Sequence, residues 1–308
     1  MPELPEVETI ARGLAKRVTG DRVESVWLGQ KKEPLKSPAA EIAATLEQSR
    51  IATVHRMGKH IVFELEHVGR TLLSASGREA NREPKGAEGS VRSASSGLQA
   101  EADRSVRSTK AQWIVHLGMT GRLQVCEPKV EIEKHTHAIL KLASGRELRF
   151  VDPRRFGRLS VARSADFDAG GVEPLDVGLE RFLSLFRGRN TPIKSALLNQ
   201  KLLRGVGNIY ADESLFRSGI RPRRRAASIT REQLEKLLIA LKKVLKEAIA
   251  LGGSSVSDYV DADGKEGFFQ LQHRVYGREG EPCLICKSPI KRVVIGGRSS
   301  HYCPKCQK

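Results

Sequence analysis

Residues 283–306 read CLICKSPIKRVVIGGRSSHYCPKC, and this stretch decides the C-terminal part of the fold. It holds two CxxC pairs on either side of residues 287–302, and the four cysteines are Cys283, Cys286, Cys303 and Cys306. This spacing is typical of a zinc ion held by four thiolates, because each tight turn offers two sulfurs to one tetrahedral ion. Two redox pairs are the alternative, but they would not need the hairpin that the sequence predicts around Gly296-Gly297. We therefore expect one structural zinc ion and no catalytic metal.

The predicted hairpin carries an arginine next to its tip. Arg298 directly follows the two glycines, in a chain with a large excess of positive charge. A rigid finger that ends in arginine can reach into a groove or toward a phosphate, and a solvated surface arginine is the alternative. The fifth cysteine, Cys126, is not part of the motif, and we expect it to be a small buried hydrophobic residue.

The segment before the ribbon is predicted to be helical. Thr191 and Pro192 are typical of a helix N-cap and a first helical residue, and IKSALLNQKLL continues the helix to a break at RGVGN. A second helix, NIYADESLFRSG, begins at Asn208 and ends at Gly219, so that the pair resembles a helix-turn-helix.

A long amphipathic helix is predicted after the basic run RPRRR. Thr230 and Gln233 have the spacing of a capping box at its start. Leucines, valine and isoleucine then recur at helical spacing until Gly252-Gly253 stops the pattern.

The N-terminal half is predicted to be rich in β-strands behind one leading helix. That helix ends at Gly20, and its apolar face consists of Val7, Ile10, Ala11, Leu14 and Val18. HIVFELE at 60–66 and AILKLASGRELRF at 138–150 alternate apolar with polar residues, and Ser144-Gly145 suits a hairpin turn.

Residues 74–112 interrupt this pattern. The segment reads SASGREANREPKGAEGSVRSASSGLQAEADRSVRSTKAQ, with no aromatic residue and few large apolar ones. It cannot bury enough surface to offset its ordering entropy, so we expect a disordered insertion between two strands. Its arginines and lysines could touch DNA, but a solvated loop is the favoured interpretation.

Charge and cysteine use restrict the class of protein. The net charge is +17 and the isoelectric point is about 9.9, which favours nucleic acid or an acidic membrane surface as partner, and we favour nucleic acid. The first residues lack the basic segment of a secretory signal, and no apolar run approaches the roughly 20 residues of a membrane span. We expect a cytoplasmic protein with reduced thiols and no disulfides.

The first ten residues, MPELPEVETI, are explained only in part by helix formation. Pro5 suits the start of a helix, and Glu6 and Glu8 suit the positive end of the helix dipole. Pro2 and Glu3 precede the helix and need another explanation.

Seven motifs in order supply that explanation. They are PELPEVET at the N-terminus, GKHIVFEL, HLGMTGRL, DPRRFGRL, GVGNIYADESLF, DGKEGFFQLQHRVYGREGEPC and the four-cysteine ribbon. Together they resemble the bacterial formamidopyrimidine-DNA glycosylases, a family that removes oxidised purines such as 8-oxoguanine. The resemblance covers nearly all of the chain outside the insertion.

The resemblance implies a multidomain α+β fold in three parts. The first is an N-terminal catalytic β-sandwich domain with a leading helix at 1–165, which contains the disordered insertion at 74–112. The second is a helical helix-two-turn-helix DNA-binding domain at 166–253. The third is a lesion-capping loop with a four-cysteine zinc-ribbon hairpin at 254–308.

The resemblance also implies a covalent mechanism. Removal of Met1 would free Pro2, whose amine would attack sugar C1′. An α-amino group has a pKa of about 8, against about 10.4 for lysine, so it is more readily neutral and nucleophilic near pH 7. Glu3 resembles the acid that protonates the sugar ring oxygen. Lys59 matches the lysine of β-elimination, and Arg298 matches the arginine linked to δ-elimination.

DNA contacts are implied in the same way. The target base must leave the duplex before Pro2 can reach C1′, and three residues match those that fill the gap, Met119, Arg154 and Phe156. Further contacts to DNA are implied for His116, His135, Arg189, Lys194 and Asn208. Arg189 stands where many family members carry lysine.

The sequence therefore predicts a bifunctional glycosylase and abasic-site lyase. Its expected partner is double-stranded DNA with oxidised bases or abasic sites, and its expected state is a monomer without membrane contact, associated with the nucleoid during repair. One alternative is an endonuclease VIII-like enzyme for oxidised pyrimidines, disfavoured by the PELPEVET start. A non-catalytic binder of damaged DNA is another.

Overall fold

The computed structural model describes five stretches of the chain, residues 1–31, 33–67, 109–163, 166–254 and 267–308. Most of the predicted insertion, residues 74–108, lies outside the described residues, as do residues 255–266 of the predicted lesion-capping loop. The predicted end of the insertion is wrong, because residues 109–112 form the first half of a strand, Thr109–His116. Gln112 in that strand is buried and donates a hydrogen bond to the Glu64 carboxylate at 2.8 Å.

The leading helix is confirmed as α1, Leu4–Val18. Its apolar face is fully buried, and Glu3 and Glu6 close a capping box at its start. The first turn also enters the other half of the molecule, because the Leu4 side chain belongs to the helical core. The Leu4 N–H donates to the Gly205 carbonyl at 3.0 Å, which ties the two halves together at the N-terminus.

Two four-stranded antiparallel sheets form the expected sandwich. The first has the order β1-β6-β7-β5, with strands Val23–Leu28 (β1), Thr136–Leu142 (β6), Glu147–Val151 (β7) and Arg122–Cys126 (β5). The second has the order β2-β3-β4-β8, with strands Ser49–Met57 (β2), His60–His67 (β3), Thr109–His116 (β4) and Arg158–Arg163 (β8). A short helix, α2 (Ala39–Leu46), packs against β1 and β8.

The hairpin of β6 and β7 is confirmed, but its strands are buried on both faces. Polar residues of β7 satisfy one another: Arg149 donates to the Glu147 carboxylate at 2.8 Å. The same guanidinium donates to the Val130 and Glu131 carbonyls at 2.9 and 3.1 Å, so a loop covers the outer face. The alternation of apolar and polar residues therefore does not indicate a solvent-exposed face here, because the polar residues of β7 are buried and form hydrogen bonds with each other and with the covering loop.

The described residues of the second half include four α-helices, α3 (Leu179–Phe186), α4 (Ile193–Leu198), α5 (Asn208–Arg217) and α6 (Arg231–Ala250). The Thr230 and Gln233 capping box of α6 is confirmed. The start of α5 at Asn208 is confirmed as well, and Gly219 follows its end with a positive φ.

The predicted first helix of this half is wrong in its bounds. Its N-cap is Pro192 and not Thr191, and α4 ends five residues before Leu203. Asn199 explains the early end, because its side chain accepts from the Lys201 N–H at 3.0 Å. Its carbonyl accepts from Leu202 and Leu203, which turns the chain away from helix.

The C-terminal hairpin consists of β9 (Lys291–Ile295) and β10 (Arg298–Tyr302). Gly296 and Gly297 both have positive φ, 56° and 74°, as a tight two-residue hairpin turn requires. The hairpin is fixed to α5, because the His301 N–H donates to the Asp212 carboxylate at 2.9 Å. Within the described residues, no helix is long and apolar enough to cross a membrane.

Candidate active site

A pocket of about 500 Å³ opens where the N-terminus, the start of α5 and the C-terminal hairpin meet. Of the residues predicted to act in catalysis or binding, it brings together Glu3, Lys59, Asn208 and Arg298. Met1 and Tyr276 also line it. These side chains come from distant parts of the sequence, so the pocket exists only when both halves of the molecule are in contact.

Glu3 lies at the base of the pocket and is 5% exposed. Its carboxylate accepts from the Ile209 N–H at 3.1 Å and from the Tyr210 N–H at 3.5 Å, at the N-terminus of α5. Gly207 makes this contact possible, because a Cβ there would lie 2.1 Å from Glu3 Cδ. Burial raises the pKa of Glu3 to about 7, although the nearby Lys59 opposes the shift. Glu3 can therefore hold and release a proton at neutral pH.

Glu6 lies beside Glu3 and was not predicted as a site residue. It is 2% exposed, and its carboxylate accepts from the Glu3 N–H and the Ser254 N–H, both at 2.8 Å. The Tyr210 hydroxyl also hydrogen-bonds to it. Burial raises the pKa of Glu6. Glu6 thus fixes the backbone of the residues that precede α1, where only a helix-dipole role was evident from the sequence.

Lys59 reaches the pocket from the turn between β2 and β3. It is 8% exposed, and burial lowers its pKa while Glu3 partly restores it. Arg56 steadies this turn, because its guanidinium donates to the Gly58 carbonyl at 3.2 Å. The same guanidinium is held by Glu173 at 2.8 Å and Glu8 at 2.7 Å. A buried ion-pair cluster therefore sets the position of the lysine.

The amino terminus faces the same groups. Burial lowers the pKa of the Met1 amino group, although Glu3 and Glu6 oppose the shift. Pro2, the next residue, is half-buried and is not among the residues that line the pocket. An amine at this position is therefore less basic than one in water, and a larger fraction is neutral at pH 7.

Arg298 is exposed at the hairpin tip and lines the pocket opposite Lys59. Lys194 lies beneath the hairpin and is fully buried, so the prediction that it contacts DNA directly is wrong. Its ammonium contacts the Asp212 carboxylate at 2.7 Å and donates to the Ser299 carbonyl at 2.6 Å. Burial lowers the pKa of Lys194. Lys194 therefore joins α4 to α5 and β10.

A second cluster of site residues lies on two touching loops at one end of the sandwich. Met119 and Phe156 are 38% and 54% exposed, which is unusual for large apolar side chains. The Arg154 guanidinium lies 5.2 Å from the centre of the Phe156 ring. Gly118 allows the loops to touch, because its φ is +67° and a Cβ would lie 2.5 Å from Phe156 backbone. We call Met119, Arg154 and Phe156 the wedge.

The remaining predicted DNA contacts differ in exposure. His135 and Arg189 are exposed, and Asn208 is half-buried at the first turn of α5. His116 is half-buried at the end of β4, and its Nδ1 accepts from the Gly118 N–H at 3.1 Å. Burial lowers the pKa of His116 to about 4, so it is neutral at pH 7, and because its Nδ1 accepts a hydrogen bond its proton is on Nε2.

The four cysteines of the ribbon form one compact cluster. Their sulfurs all lie within 4.8 Å of one another, with Cys283–Cys306 at 3.9 Å and Cys286–Cys303 at 3.4 Å. Sulfurs about 2.3 Å from a tetrahedral zinc ion are about 3.8 Å apart, so the cluster fits one structural zinc. Cys126 is half-buried in β5, and the prediction that it is buried is wrong.

Family models match the chain in three pieces. The formamidopyrimidine-DNA glycosylase N-terminal domain matches residues 1–159, the H2TH domain of the same glycosylases matches 171–260, and a zinc finger found in FPG and IleRS matches 280–308. A formamidopyrimidine-DNA glycosylase of Solibacter usitatus is 41% identical, over 100% of both chains.

The chain belongs to the formamidopyrimidine-DNA glycosylase family. Among solved structures, MutM (Fpg) of Thermus thermophilus is 37% identical over 99% of this chain and 98% of that one, with a TM-score of 0.77. A mutant Lactococcus lactis FPG in complex with a Fapy-dG containing DNA is 27% identical over 100% of both chains, with a TM-score of 0.80.

Family membership confirms several of the expectations. The chain is a DNA glycosylase with an α+β fold and a C-terminal zinc-binding hairpin that holds one structural zinc ion. Its structural neighbours include Lactococcus lactis Fpg bound to DNA with an abasic site.

Proposed function

We propose that this glycosylase is bifunctional. It excises oxidised purines, 8-oxoguanine and formamidopyrimidines, from duplex DNA through a Schiff base on Pro2, and it then cleaves the strand by β,δ-elimination. One observation carries the proposal: a carboxyl group with a pKa of about 7 and an amino terminus of lowered pKa share one pocket. An acid and an amine with these properties are what the first step needs.

The first step uses Pro2 and Glu3. After hydrolytic removal of Met1, the neutral Pro2 nitrogen donates its lone pair to sugar C1′, and the bond from C1′ to the base breaks. The nitrogen then passes its proton to the departing base, and the ring opens as Glu3 gives a proton to the ring oxygen. The product is an iminium ion between Pro2 and C1′, with the base released in protonated form.

The elimination steps follow from the iminium ion. It withdraws electrons from C1′, which makes a C2′ proton acidic, and loss of that proton expels the 3′ phosphate. Lys59, whose pKa burial lowers, faces the same pocket and serves this step. Arg298 serves the δ-elimination, because its permanent positive charge at the pocket mouth suits the departing 5′ phosphate.

The wedge and the phosphate contacts supply DNA recognition. Met119 and Phe156 replace the extruded nucleotide in the stack, and Arg154 hydrogen-bonds the base left without a partner. His116, His135, Arg189 and Asn208 contact the DNA backbone. We also propose that the enzyme acts as a cytoplasmic monomer at the nucleoid, with its parts divided at 165/166 and 253/254.

Reductive trapping tests the covalent step. Borohydride added to the mature enzyme and a duplex with 8-oxoguanine opposite cytosine should leave a stable adduct, and mass spectrometry should place it on Pro2. Pro2→Gly, which keeps an α-amino group but loses the ring, should excise far more slowly while binding the duplex. A mature enzyme that retains Met1 and excises at the normal rate would refute the mechanism.

The same assay decides the substrate class. A matched duplex with thymine glycol in place of 8-oxoguanine should be cleaved more slowly. Preferential excision of thymine glycol would favour the endonuclease VIII-like alternative. Undiminished DNA binding with no excision of either base would favour a non-catalytic binder.

A further inference from the structure

One fully buried carboxylate, Asp152, joins the loops that carry the wedge. It follows β7 directly, and it is 0% exposed. No salt bridge to Asp152 occurs within the described ranges of the chain, so its hydrogen bonds alone compensate its burial. Neither the catalytic pocket nor the zinc cluster includes it.

Both oxygens of Asp152 accept hydrogen bonds from the two wedge loops. Oδ1 accepts from the Thr120 hydroxyl at 2.6 Å and from the Arg154 N–H at 3.3 Å. Oδ2 accepts from the Gly157 N–H at 2.7 Å. Thr120 adjoins Met119, Gly157 adjoins Phe156, and Arg154 is itself a wedge residue. One side chain therefore holds both loops, the first through a hydroxyl group and the second through two backbone N–H groups.

The backbone of Asp152 extends the connection to a third loop. Its N–H donates to the His135 carbonyl at 3.0 Å, and its carbonyl accepts from His137 Nε2 at 3.0 Å. His135 is one of the exposed residues with a proposed backbone contact to DNA. The gap-filling residues and a phosphate contact therefore share one buried anchor.

The loop conformation depends on this anchor. Arg155 has a φ of +57°, a left-handed backbone that costs a non-glycine residue free energy and persists only where surroundings impose it. Close contact with Gly118 and the hydrogen bonds of Asp152 are those surroundings, since Arg155 itself is exposed. Loss of the anchor would release this conformation and move Arg154 and Phe156 on either side.

We propose that Asp152 is the positioning residue that makes Met119, Arg154 and Phe156 one rigid wedge and thereby sets how the enzyme reads the base opposite the lesion. The inference rests on the proposed function of the wedge. A guanidinium only donates hydrogen bonds, and cytosine offers it two acceptors on its pairing edge where adenine offers one. A fixed Arg154 distinguishes the two bases by this difference, whereas a mobile Arg154 does not.

Asp152→Asn is the direct test. An amide has one acceptor oxygen and one NH2 group that only donates. Its NH2 group must therefore face either the Gly157 N–H or the donors of Thr120 and Arg154, and that hydrogen bond is lost. We expect excision of 8-oxoguanine opposite cytosine to fall roughly 100-fold, the size of a misplacement of about 1 Å. The preference for cytosine over adenine opposite the lesion should fall about tenfold or more, as after loss of one base contact.

Single-stranded DNA with an abasic site separates positioning from general damage. It offers no opposing base and no stack to fill, so cleavage needs the pocket but not the wedge. Asp152→Asn should cleave it within about threefold of the wild-type rate. Equal losses on single-stranded and duplex substrates would refute the proposal, as would a variant with unchanged excision and unchanged base preference.

Threonine variants keep the proposal testable if Asp152→Asn does not fold. Thr120→Val removes one donor to Asp152 and should lower duplex excision and base preference to an intermediate degree. Thr120→Ser retains the hydroxyl and should restore both. If valine and serine behave alike, the anchor is not what positions the wedge.

Asp21→Asn is the matched control. Asp21 is a carboxylate in the same sandwich, and it accepts from the Arg22 and Ser144 N–H groups at 2.9 and 3.2 Å, beyond the opposite end of β7. This control should leave base preference unchanged. Wild-type enzyme that fails to excise 8-oxoguanine would contradict the proposed function itself, whereas wild-type activity with unaffected variants would contradict only the role of Asp152.

Discussion

The pocket around Glu3 and the wedge owe their properties to opposite physical means, burial in the first and exposure in the second. In the pocket, Glu3 and Lys59 are nearly inaccessible to water, and burial moves the pKa of each toward neutrality. In the wedge, Met119 and Phe156 are exposed to solvent. The carboxylate behind them holds their two loops through the Thr120 hydroxyl and through the Arg154 and Gly157 N–H groups.

The difference follows from what each region must do. Proton transfer at pH 7 needs groups whose pKa lies near 7. Desolvation is the means by which a protein raises the pKa of a carboxyl group that far. Insertion into a base stack needs an apolar surface that is free before DNA arrives and is held in place by contacts other than its own burial. Chemistry therefore lies inside the molecule and recognition at its edge.

Removal of the acid should have the largest effect. Glu3→Gln keeps the shape of the side chain and loses its exchangeable proton, so excision of 8-oxoguanine should fall by roughly 10² to 10⁴, the usual contribution of general acid catalysis. Single-turnover kinetics measure the loss, and DNA affinity should stay the same. Glu147→Gln is the control, since Glu147 is also 5% exposed but lies outside the pocket and pairs with Arg149. Comparable losses in the two variants would show that excision does not depend specifically on the Glu3 carboxyl group.

Removal of the wedge ring should have a smaller effect. Phe156→Ala should slow duplex excision by roughly 5- to 150-fold, which corresponds to one base–aromatic stack of 1–3 kcal/mol. Melting temperature should not change, because the ring is 54% exposed. Ile239→Ala removes a similarly exposed apolar side chain, 62% exposed on α6, and should change neither quantity. A wedge variant that melts earlier and excises normally would show that Phe156 serves the fold.

A rise of one pH unit should have a smaller effect than the loss of the acid. Glu3 acts as an acid only while protonated, so above its pKa of about 7 the excision rate should fall about tenfold per pH unit. The amine requirement can offset this fall only below the pKa of the Pro2 amine, because above that pKa nearly all of the amine is already neutral; an α-amino group ordinarily has a pKa near 8. Single-turnover rates at pH 8 and 9 measure the fall. Glu3→Gln should lack this alkaline limb, and a wild-type rate that is flat up to pH 9 would contradict the assignment.

Local sequence signals were sufficient for the elements whose cause is local. The capping box at Thr230, the glycine turn before Arg298 and the buried face of α1 all follow from spacing along the chain. The end of α4 was not predicted because it depends on one short turn, in which the Asn199 side chain accepts from the Lys201 N–H, and the helical pattern of apolar residues continues past that turn. The strand at residues 109–112 was missed because its polar residues are satisfied across the sheet by partners such as Glu64.

The site divides in the same way. Motif resemblance was sufficient to assemble the residues of the pocket, but it says nothing about contacts between distant segments. Lys194 was therefore assigned to DNA although Asp212 and the Ser299 carbonyl bury it. Glu6 and Asp152 were not predicted because each also needs a partner that is distant in sequence, Ser254 for Glu6 and Thr120 for Asp152.

The contact between Glu3 and the first turn of α5 has a consequence for biosynthesis. The acid is at the first end of the chain to leave the ribosome, and the amides that hold it belong to Ile209 and Tyr210. A nascent polypeptide that ends before these residues lacks the surroundings that raise the pKa of Glu3 toward 7. A chain truncated before Ile209 is therefore expected to excise no base, because its Glu3 lacks the burial that raises the pKa of this carboxyl group to about 7.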